Sequence, residues 1–247
     1  MRYLMTFSYD GSKYQGYQKQ PNGNTVQEEL EKALFKIAGD RVVSLYASGR
    51  TDAGVHAINQ KAHFDLEKEM EMERLKHSLN SMIPKDIFIK KIERVENDFH
   101  ARFDVTRKEY IYKVNMGEYN PIEKDYVFQC CEHLDTNEMM RGLKYLEGTH
   151  DFRSFTKVEE EKDFVRTIIR TNLLIDSKNK NLITFIFVGT GFMRYQVRNM
   201  VGTLIEIGRG KKKSTDIIDI LEAKDRRKAG ITASPSGLYL KNVDYSR

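Results

Sequence analysis

The 247-residue sequence predicts an α+β fold. Two ferredoxin-like halves, each β-α-β-β-α-β, are expected to pack into one pseudo-symmetric body with a central antiparallel or mixed sheet and a cleft between them. Three observations predict it. Apolar residues alternate with period two in short blocks and recur at helical spacing in others, and these blocks run strand, helix, strand, strand, helix, strand. That order occurs twice. No Ser/Gly-rich tract separates the two runs and the chain has 4 prolines, so the halves are expected to pack rigidly instead of hanging from a linker. The division is placed near Phe103 to Arg107, giving an N-terminal half over 1–104 and a C-terminal half over 105–247.

In the first half, Tyr3, Met5, Phe7 and Tyr9 alternate with Leu4, Thr6 and Ser8, which is the period of a strand over 2–9. Thr25-x-x-Glu28 reads as a capping box. Val26, Leu30, Ala33, Leu34 and Ile37 then share one helix face, and Gly39 supplies the stop. Val42 to Ala47 reads as strand, Ala62, Phe64 and Leu66 mark another, residues 72–82 read as helix, and Ile87 to Val95 closes the half as strand. The second half opens with Tyr110, Tyr112, Val114 and Met116 along one face of a strand. A helix from Thr136 to about Leu146 follows, closed by Gly148. Strands over Val165 to Ile175 and Leu182 to Val188 come next, then a helix carrying Val197, Met200, Val201 and Leu204 on one side. A short extra helix, Ser214 to Glu222, precedes the closing strand, Leu238 to Val243.

Hydrophobic residues make up 40% of the chain, enough for a substantial core. No apolar run reaches membrane-spanning length, and the first ten residues alternate like a strand instead of forming a signal peptide's apolar block, so a cytoplasmic protein without a membrane partner is expected. The two cysteines, Cys130 and Cys131, are adjacent, which suits neither an ordinary disulfide nor a zinc site; two reduced structural thiols are expected. Lysine and arginine number 41 against 36 acidic residues, a net charge of +5 that permits polyanion binding without requiring it. Distribution is more telling. Arg166, Arg170, Arg194, Arg198, Arg209, Lys211-Lys212-Lys213 and Arg226-Arg227-Lys228 gather in the second half, while acidic runs sit between Glu67 and Glu73 and at Glu159-Glu160-Glu161. One basic face suited to a phosphate backbone competes, on charge alone, with a scattered mixed surface.

The stretch Ser48-Gly49-Arg50-Thr51-Asp52-Ala53-Gly54-Val55-His56-Ala57 sets a carboxylate, a guanidinium and an imidazole in a Gly-bracketed turn. Small neighbours leave the Asp52 carboxylate reachable, and Arg50, two positions away, can pair with it and hold it ionised. A plain turn would use the same residues for conformational reasons. A second constellation tips the balance. Tyr110 and Tyr112 share a strand face, and beside them lie Phe99-His100-Ala101-Arg102-Phe103 and Arg107-Lys108, the aromatic and basic interleaving of single-strand binders. The segment Gly191 to Gly202 enters a helix with Arg194 and Arg198 in its first turns, against the helix dipole, so both need a partner. Arg198 borders the apolar stripe and is the better candidate for a buried pair with Asp52. His56 and His63, with Asp52 and Asp65 nearby, match no zinc spacing and read as ordinary hydrogen-bonded histidines; no metal is expected. No phosphate-binding loop, dinucleotide fingerprint or nucleophile elbow occurs.

Ser48 to Ala57 resembles the active-site signature of the tRNA pseudouridine synthase A family, usually read as Gly-Arg-Thr-Asp-Ala-Gly-Val-His. The resemblance covers essentially the whole chain. It extends through Tyr9-Asp10-Gly11-Ser12-Lys13-Tyr14, Val26-Gln27-Glu28, Phe99 to Phe103, Gly148-Thr149-His150-Asp151-Phe152, Val197-Arg198-Asn199 and Leu221 to Arg226 to Gly237-Leu238-Tyr239-Leu240. It implies that Asp52 is the catalytic aspartate, that Tyr110 stacks on the target base, and that Arg50 and Arg198 surround the carboxylate. It further implies a homodimer across which one tRNA lies, with uridines 38, 39 and 40 of the anticodon arm as targets. The implied reaction cuts the N1–C1′ bond of uridine and rejoins the sugar at C5, with no cofactor, metal or energy donor. Asp52 would start it by attacking C6, attacking C1′ or removing the C2′ proton. The same chemistry on ribosomal or other RNA, and a non-catalytic RNA-binding protein of this fold, are the competing readings. Two departures stand out: Thr232-Ala233-Ser234-Pro235-Ser236 moves a proline by one from the family's Thr-Ala-Pro, and Tyr17 stands where many relatives carry tryptophan.

Overall fold

The structure, a computed structural model, describes residues 1–157 and 163–246, so the acidic run Glu159 to Glu161 lies outside the described residues. The elements in chain order are β1 (Arg2–Tyr9), α1 (Val26–Ile37), β2 (Tyr46–Ala47), β3 (His56–Asp65), α2 (Met72–Met82), β4 (Ile87–Val95), β5 (Val105–Asn115) and β6 (Phe128–Gln129). There follow α3 (Thr136–Tyr145), β7 (Gly148–Asp151), β8 (Val165–Ile175), β9 (Leu182–Gly189), α4 (Gln196–Gly208), α5 (Asp216–Ala223) and β10 (Leu238–Tyr245). The architecture is α+β, and the chain divides into two compact units, Met1–Thr106 with Tyr239–Arg247, and Arg107–Leu238.

In the first unit β1 lies between β3 and β4, antiparallel to both, and β2 pairs antiparallel with β3. Tyr3, Met5, Phe7 and Tyr9 are buried, as are Leu30 and Leu34 of α1 and Leu75 and Leu79 of α2, while on the opposite face of β1 Leu4 is buried against Phe99 and Ala101. Helix α1 begins where its cap dictates. The Thr25 hydroxyl accepts the Glu28 amide at 3.4 Å, while the Glu28 carboxylate turns to Lys32 at 3.3 Å. Helix α2 uses Glu71, whose carboxylate accepts the Glu73 and Arg74 amides at 2.9 and 2.6 Å. The strand expected over Val42 to Ala47 is reduced to Tyr46–Ala47. Its upstream backbone is already engaged, since the Leu45 amide donates to the Glu31 carboxylate and its carbonyl accepts from Gln27, both on α1. The closing strand, read as the end of the second half, belongs to this unit. β10 pairs parallel with β3 through Tyr239↔His56 and Leu240↔Ala57, Asn59 donates to the Lys241 carbonyl, and the Tyr245 hydroxyl donates to the Ala101 carbonyl.

In the second unit β5 pairs antiparallel with β9, β9 with β8 and β8 with β7, and the short β6 pairs parallel with β5. β3 thus pairs antiparallel with β1 and β2, and β9 with β5 and β8. Each unit contains both antiparallel and parallel pairings. Helix α4 is buried along nearly its whole length, with Val197, Met200, Val201 and Leu204 at 4% exposure or less, so it packs as a central helix and not as a surface one. Strands β6 and β7 were not expected. Gly148, read as a helix stop, is the first residue of β7 and has φ +107°, whereas α3 already ends at Tyr145 with its cap at Leu146. Of the cysteines, Cys130 is buried and its thiol pushed up by burial, whereas Cys131 is exposed instead of structural. Among the described residues no helix is long and apolar enough to cross a membrane.

Candidate active site

Asp52 sits in the loop between β2 and β3, half-buried, with Ala53 exposed beside it. The loop is fixed from below by long-range bonds. Ser48 donates to Gln60 Oε1 at 2.6 Å, and Gln60 Nε2 donates to the Gly49 carbonyl at 3.0 Å. The Tyr9 and Thr51 hydroxyls share a 2.8 Å hydrogen bond, and the Tyr17 amide donates to the Thr51 carbonyl. Burial pushes the Tyr9 phenol up to about 12, against the Thr51 and Gln60 bonds that lower it, so this hydroxyl stays protonated and acts as a strut. The chain then turns tightly: the Val55 amide donates to the Asp52 carbonyl at 3.1 Å, and Gly54 takes φ +77°.

His56 closes the turn as a structural histidine. Its Nδ1 accepts the Gly11 amide at 3.0 Å, which leaves no proton on that nitrogen for Asp10, 3.3 Å away. The ring stacks on Tyr239 with centroids 4.7 Å apart. Gly11 passes so close to the turn that a Cβ there would lie 2.0 Å from the Val55 carbonyl oxygen. His63 is likewise structural: Nδ1 accepts the Ala101 amide, the ring stacks on Tyr46, and burial together with Arg2 and His100 lowers its pKa to about 4. Both histidines follow the hydrogen-bonded reading.

Arg50 is exposed and, among the described residues, makes no ion pair, so the expected local pair with Asp52 is absent there. The reason is conformational. The Ser48 and Gly49 backbone is tied inward to Lys61 and Gln60, and the Arg50 side chain leaves toward solvent.

In the second unit Tyr110 lies on β5 opposite Phe187, 8% exposed, with its ring edge-on to Phe192 at 5.2 Å. Tyr112, on the same face, is fully buried and donates to the Ser234 carbonyl at 2.7 Å; burial raises its pKa, with nearby Arg198 opposing. Helix α4 starts at Gln196, later than expected, so Arg194 precedes it and only Arg198 lies in its first turn. Tyr195 at the cap takes φ +62°. The Arg198 Nε donates to the Ala233 carbonyl at 2.8 Å, and its guanidinium lies 5.2 Å from the Tyr195 ring centroid. The 232–236 segment, with its displaced proline, is therefore held from two sides, by Arg198 and by Tyr112.

The basic concentration of the second half is partly neutralised where it stands. Arg209 holds Glu132 through two bonds of 2.7 and 2.8 Å, Arg227 holds Asp225 at 2.8 Å, and Lys212 reaches Glu206 at 3.6 Å. The residues that sequence reasoning missed are the supports: Tyr9, Gly11 and Gln60 under the turn, and Asn199 and Thr232 beside Arg198. The Asp10-Gly11 dipeptide, a turn signal ahead of a helix, was the one available hint.

A family profile described as tRNA pseudouridine synthase matches residues 5–104 and 143–246, blocks that contain Arg50, Asp52 and Arg198 and leave Tyr110 between them. The chain is similar to the tRNA pseudouridine synthase A of an Exiguobacterium species, 48% identical over 248 residues that span 100% of this chain and 98% of the other. It is 45% identical to that of Limosilactobacillus reuteri, over 99% of this chain and 96% of the other. It is 43% identical to that of Streptococcus pneumoniae, over 99% and 98%. Among solved structures, a chain from "Crystal Structure of a Cbf5-Nop10-Gar1 Complex" is similar with TM-score 0.42 and 10% identity, over 83% of this chain and 45% of that chain, too slight a likeness to bear on function.

Proposed function

The chain belongs to the tRNA pseudouridine synthase A family and is a tRNA pseudouridine synthase. From that premise we propose that it acts on uridines 38, 39 and 40 of the anticodon arm, and that Asp52 of the first unit and Tyr110 and Arg198 of the second serve one target nucleotide. The observation that carries the assignment is the Asp52 turn itself: a half-buried carboxylate on a loop braced by Tyr9, Gln60 and the Gly11 amide, flanked by small residues.

In the reaction the N1–C1′ bond breaks, the uracil turns, C5 bonds to C1′, and C5 loses its proton while N1, freed from the sugar, gains one. No group enters or departs. Asp52 starts it as an ionised carboxylate, whether at C6, at C1′ or at the C2′ proton. Arg198 is assigned to the charge on Asp52, and Arg50, exposed, to the RNA backbone or the gap left by the flipped nucleotide. Tyr110 is assigned to stacking on the extruded uracil, its ring already fixed edge-on by Phe192. The same reading carries a cytoplasmic homodimer with one tRNA across both subunits, for which sedimentation of the protein with and without tRNA is the check.

The test is tritium release from C5-labelled uridine in unmodified tRNA, run beside Asp52→Asn. Release by the parent alone, mapped to positions 38 to 40, is the expected result, with RNA affinity of the variant within a few-fold. Turnover by Asp52→Asn would remove the carboxylate from its role, and release from other positions would replace the anticodon assignment.

A further inference from the structure

Lys157, Tyr195, Arg198, Asn199, Arg226 and Thr232 line a cavity of about 520 Å³ in the second unit. Three of the six are cations and none is a carboxylate. Arg226 lies deepest in its bonding. Its Nη1 donates to the Gly230 carbonyl at 2.9 Å and, more weakly, to Ala229; its Nη2 donates to Asn199 Oδ1 at 2.9 Å and to Thr232 Oγ1 at 3.1 Å. The Asn199 oxygen faces it because the amide nitrogen is spent on the Phe155 carbonyl at 2.7 Å. Every one of these acceptors is neutral, and among the described residues Arg226 forms no ion pair. The full positive charge is thus held in place without a counterion. Burial lowers its pKa, with Glu206 opposing in part, as expected for a poorly hydrated cation. At the wall, the Tyr195 ring lies under two guanidiniums, Arg194 at 4.9 Å and Arg198 at 5.2 Å, which orients Arg198 by cation–π contact.

We propose that this cavity is a phosphate subsite that takes one phosphodiester of the RNA substrate. A half-buried guanidinium bonded only to neutral oxygens gains from an anion that arrives with the ligand. Arg226 supplies fixed charge beneath the group, Lys157 supplies mobile donors, and Arg198 supplies an oriented fork. The inference rests on the reading that the chain takes the anticodon arm as substrate, and free inorganic phosphate offers the same chemistry.

The experiment separates these. Binding of a labelled anticodon stem-loop by the Asp52→Asn protein is followed by fluorescence anisotropy at several KCl concentrations, with Arg226→Gln, Arg226→Lys and Lys157→Gln added singly. Loss of one phosphate contact is expected to lower the slope of log Kd against log salt by about 0.7–0.9 and to weaken binding about threefold to tenfold at low salt. Arg226→Lys, which keeps the charge, is expected to keep the slope. Parental slopes in both Gln variants overturn the proposal. So does a site for free phosphate only, in which phosphate at constant ionic strength raises the parent's melting temperature but not the variants', and RNA slopes stay equal. If Arg226→Gln does not fold, Lys157→Gln alone decides, because its exposed side chain makes no described bond. Tritium release by the parent protein on the same stem-loop tests the substrate reading separately.

Discussion

Gly11→Ala is expected to cut the rate of isomerisation about 100-fold although residue 11 touches neither substrate nor Asp52. The added Cβ would stand 2.0 Å from the Val55 carbonyl oxygen and 2.5 Å from its carbon. Ordinary contact needs about 3.4 Å, so more than 1 Å must be made up, and the obstacle is backbone that cannot rotate away. Movement of Gly11 is resisted because its amide is bonded to His56, whose ring is stacked on Tyr239. The displacement therefore falls on the turn, where the Val55 amide is bonded to the Asp52 carbonyl. Overpacking of this kind costs about 1–3 kcal/mol, a part of the roughly 5–15 kcal/mol of a typical domain, so the variant should still fold. The assay is single-turnover tritium release at saturating enzyme, well below the melting midpoint, with stem-loop affinity measured alongside. A rate within about threefold of the parent, in a protein whose melting temperature has fallen, would show that the turn absorbs the strain without moving Asp52, and the positional argument would fail.

Three further outcomes follow from the supports around the site. His63 has a pKa of about 4 in the folded protein against about 6.5 when unfolded, so as pH falls the unfolded chain takes up the proton first; this contribution to stability is full above the unfolded value and is lost on acidification toward 4. Between pH 7 and 5 the loss should be about 2 kcal/mol by urea unfolding, and His63→Asn should flatten that slope; an equal slope in the variant removes His63 as the cause. Tyr17→Phe should raise stability by about 1 kcal/mol, because the buried Tyr17 hydroxyl has no partner among the described residues, and a lowered urea midpoint would count against it. Thr25→Ala should cost about 1 kcal/mol through the lost cap on α1, and a change below about 0.3 kcal/mol would show that the 3.4 Å bond contributes little.

Legibility in the sequence followed the range of the interactions. α1, α2 and β4 were readable to the residue because one face of each is the more deeply packed, and β1 because its apolar residues alternate, although Leu4 on its other face is buried too. β6 and β7 were not, since two or four residues carry no period and their pairing is chosen by a neighbour far along the chain. Leu45 shows the same limit from the other side: its apolar run looked like strand, but side chains of α1 had claimed its backbone.

The candidate site divides in the same way, and the division has a chemical reason. A carboxylate among small residues and glycine is a local pattern, so Asp52 could be found from ten residues. Its bracing could not, because Tyr9 is bonded to Thr51 across 42 positions and Gly11 to His56 across 45. Arg50 illustrates the cost of reading locally: two positions from Asp52 in sequence, it points to solvent, while Arg226, 27 positions from Asn199, is bonded to it. A carboxylate needs only its own oxygens to be a nucleophile or a base, whereas placing it within reach of one atom of one nucleotide needs the whole unit. On the proposed reading the chemistry is written in the turn and its placement in the packing beneath it, which is why a methyl group at Gly11 is a sharper probe than further changes inside the motif.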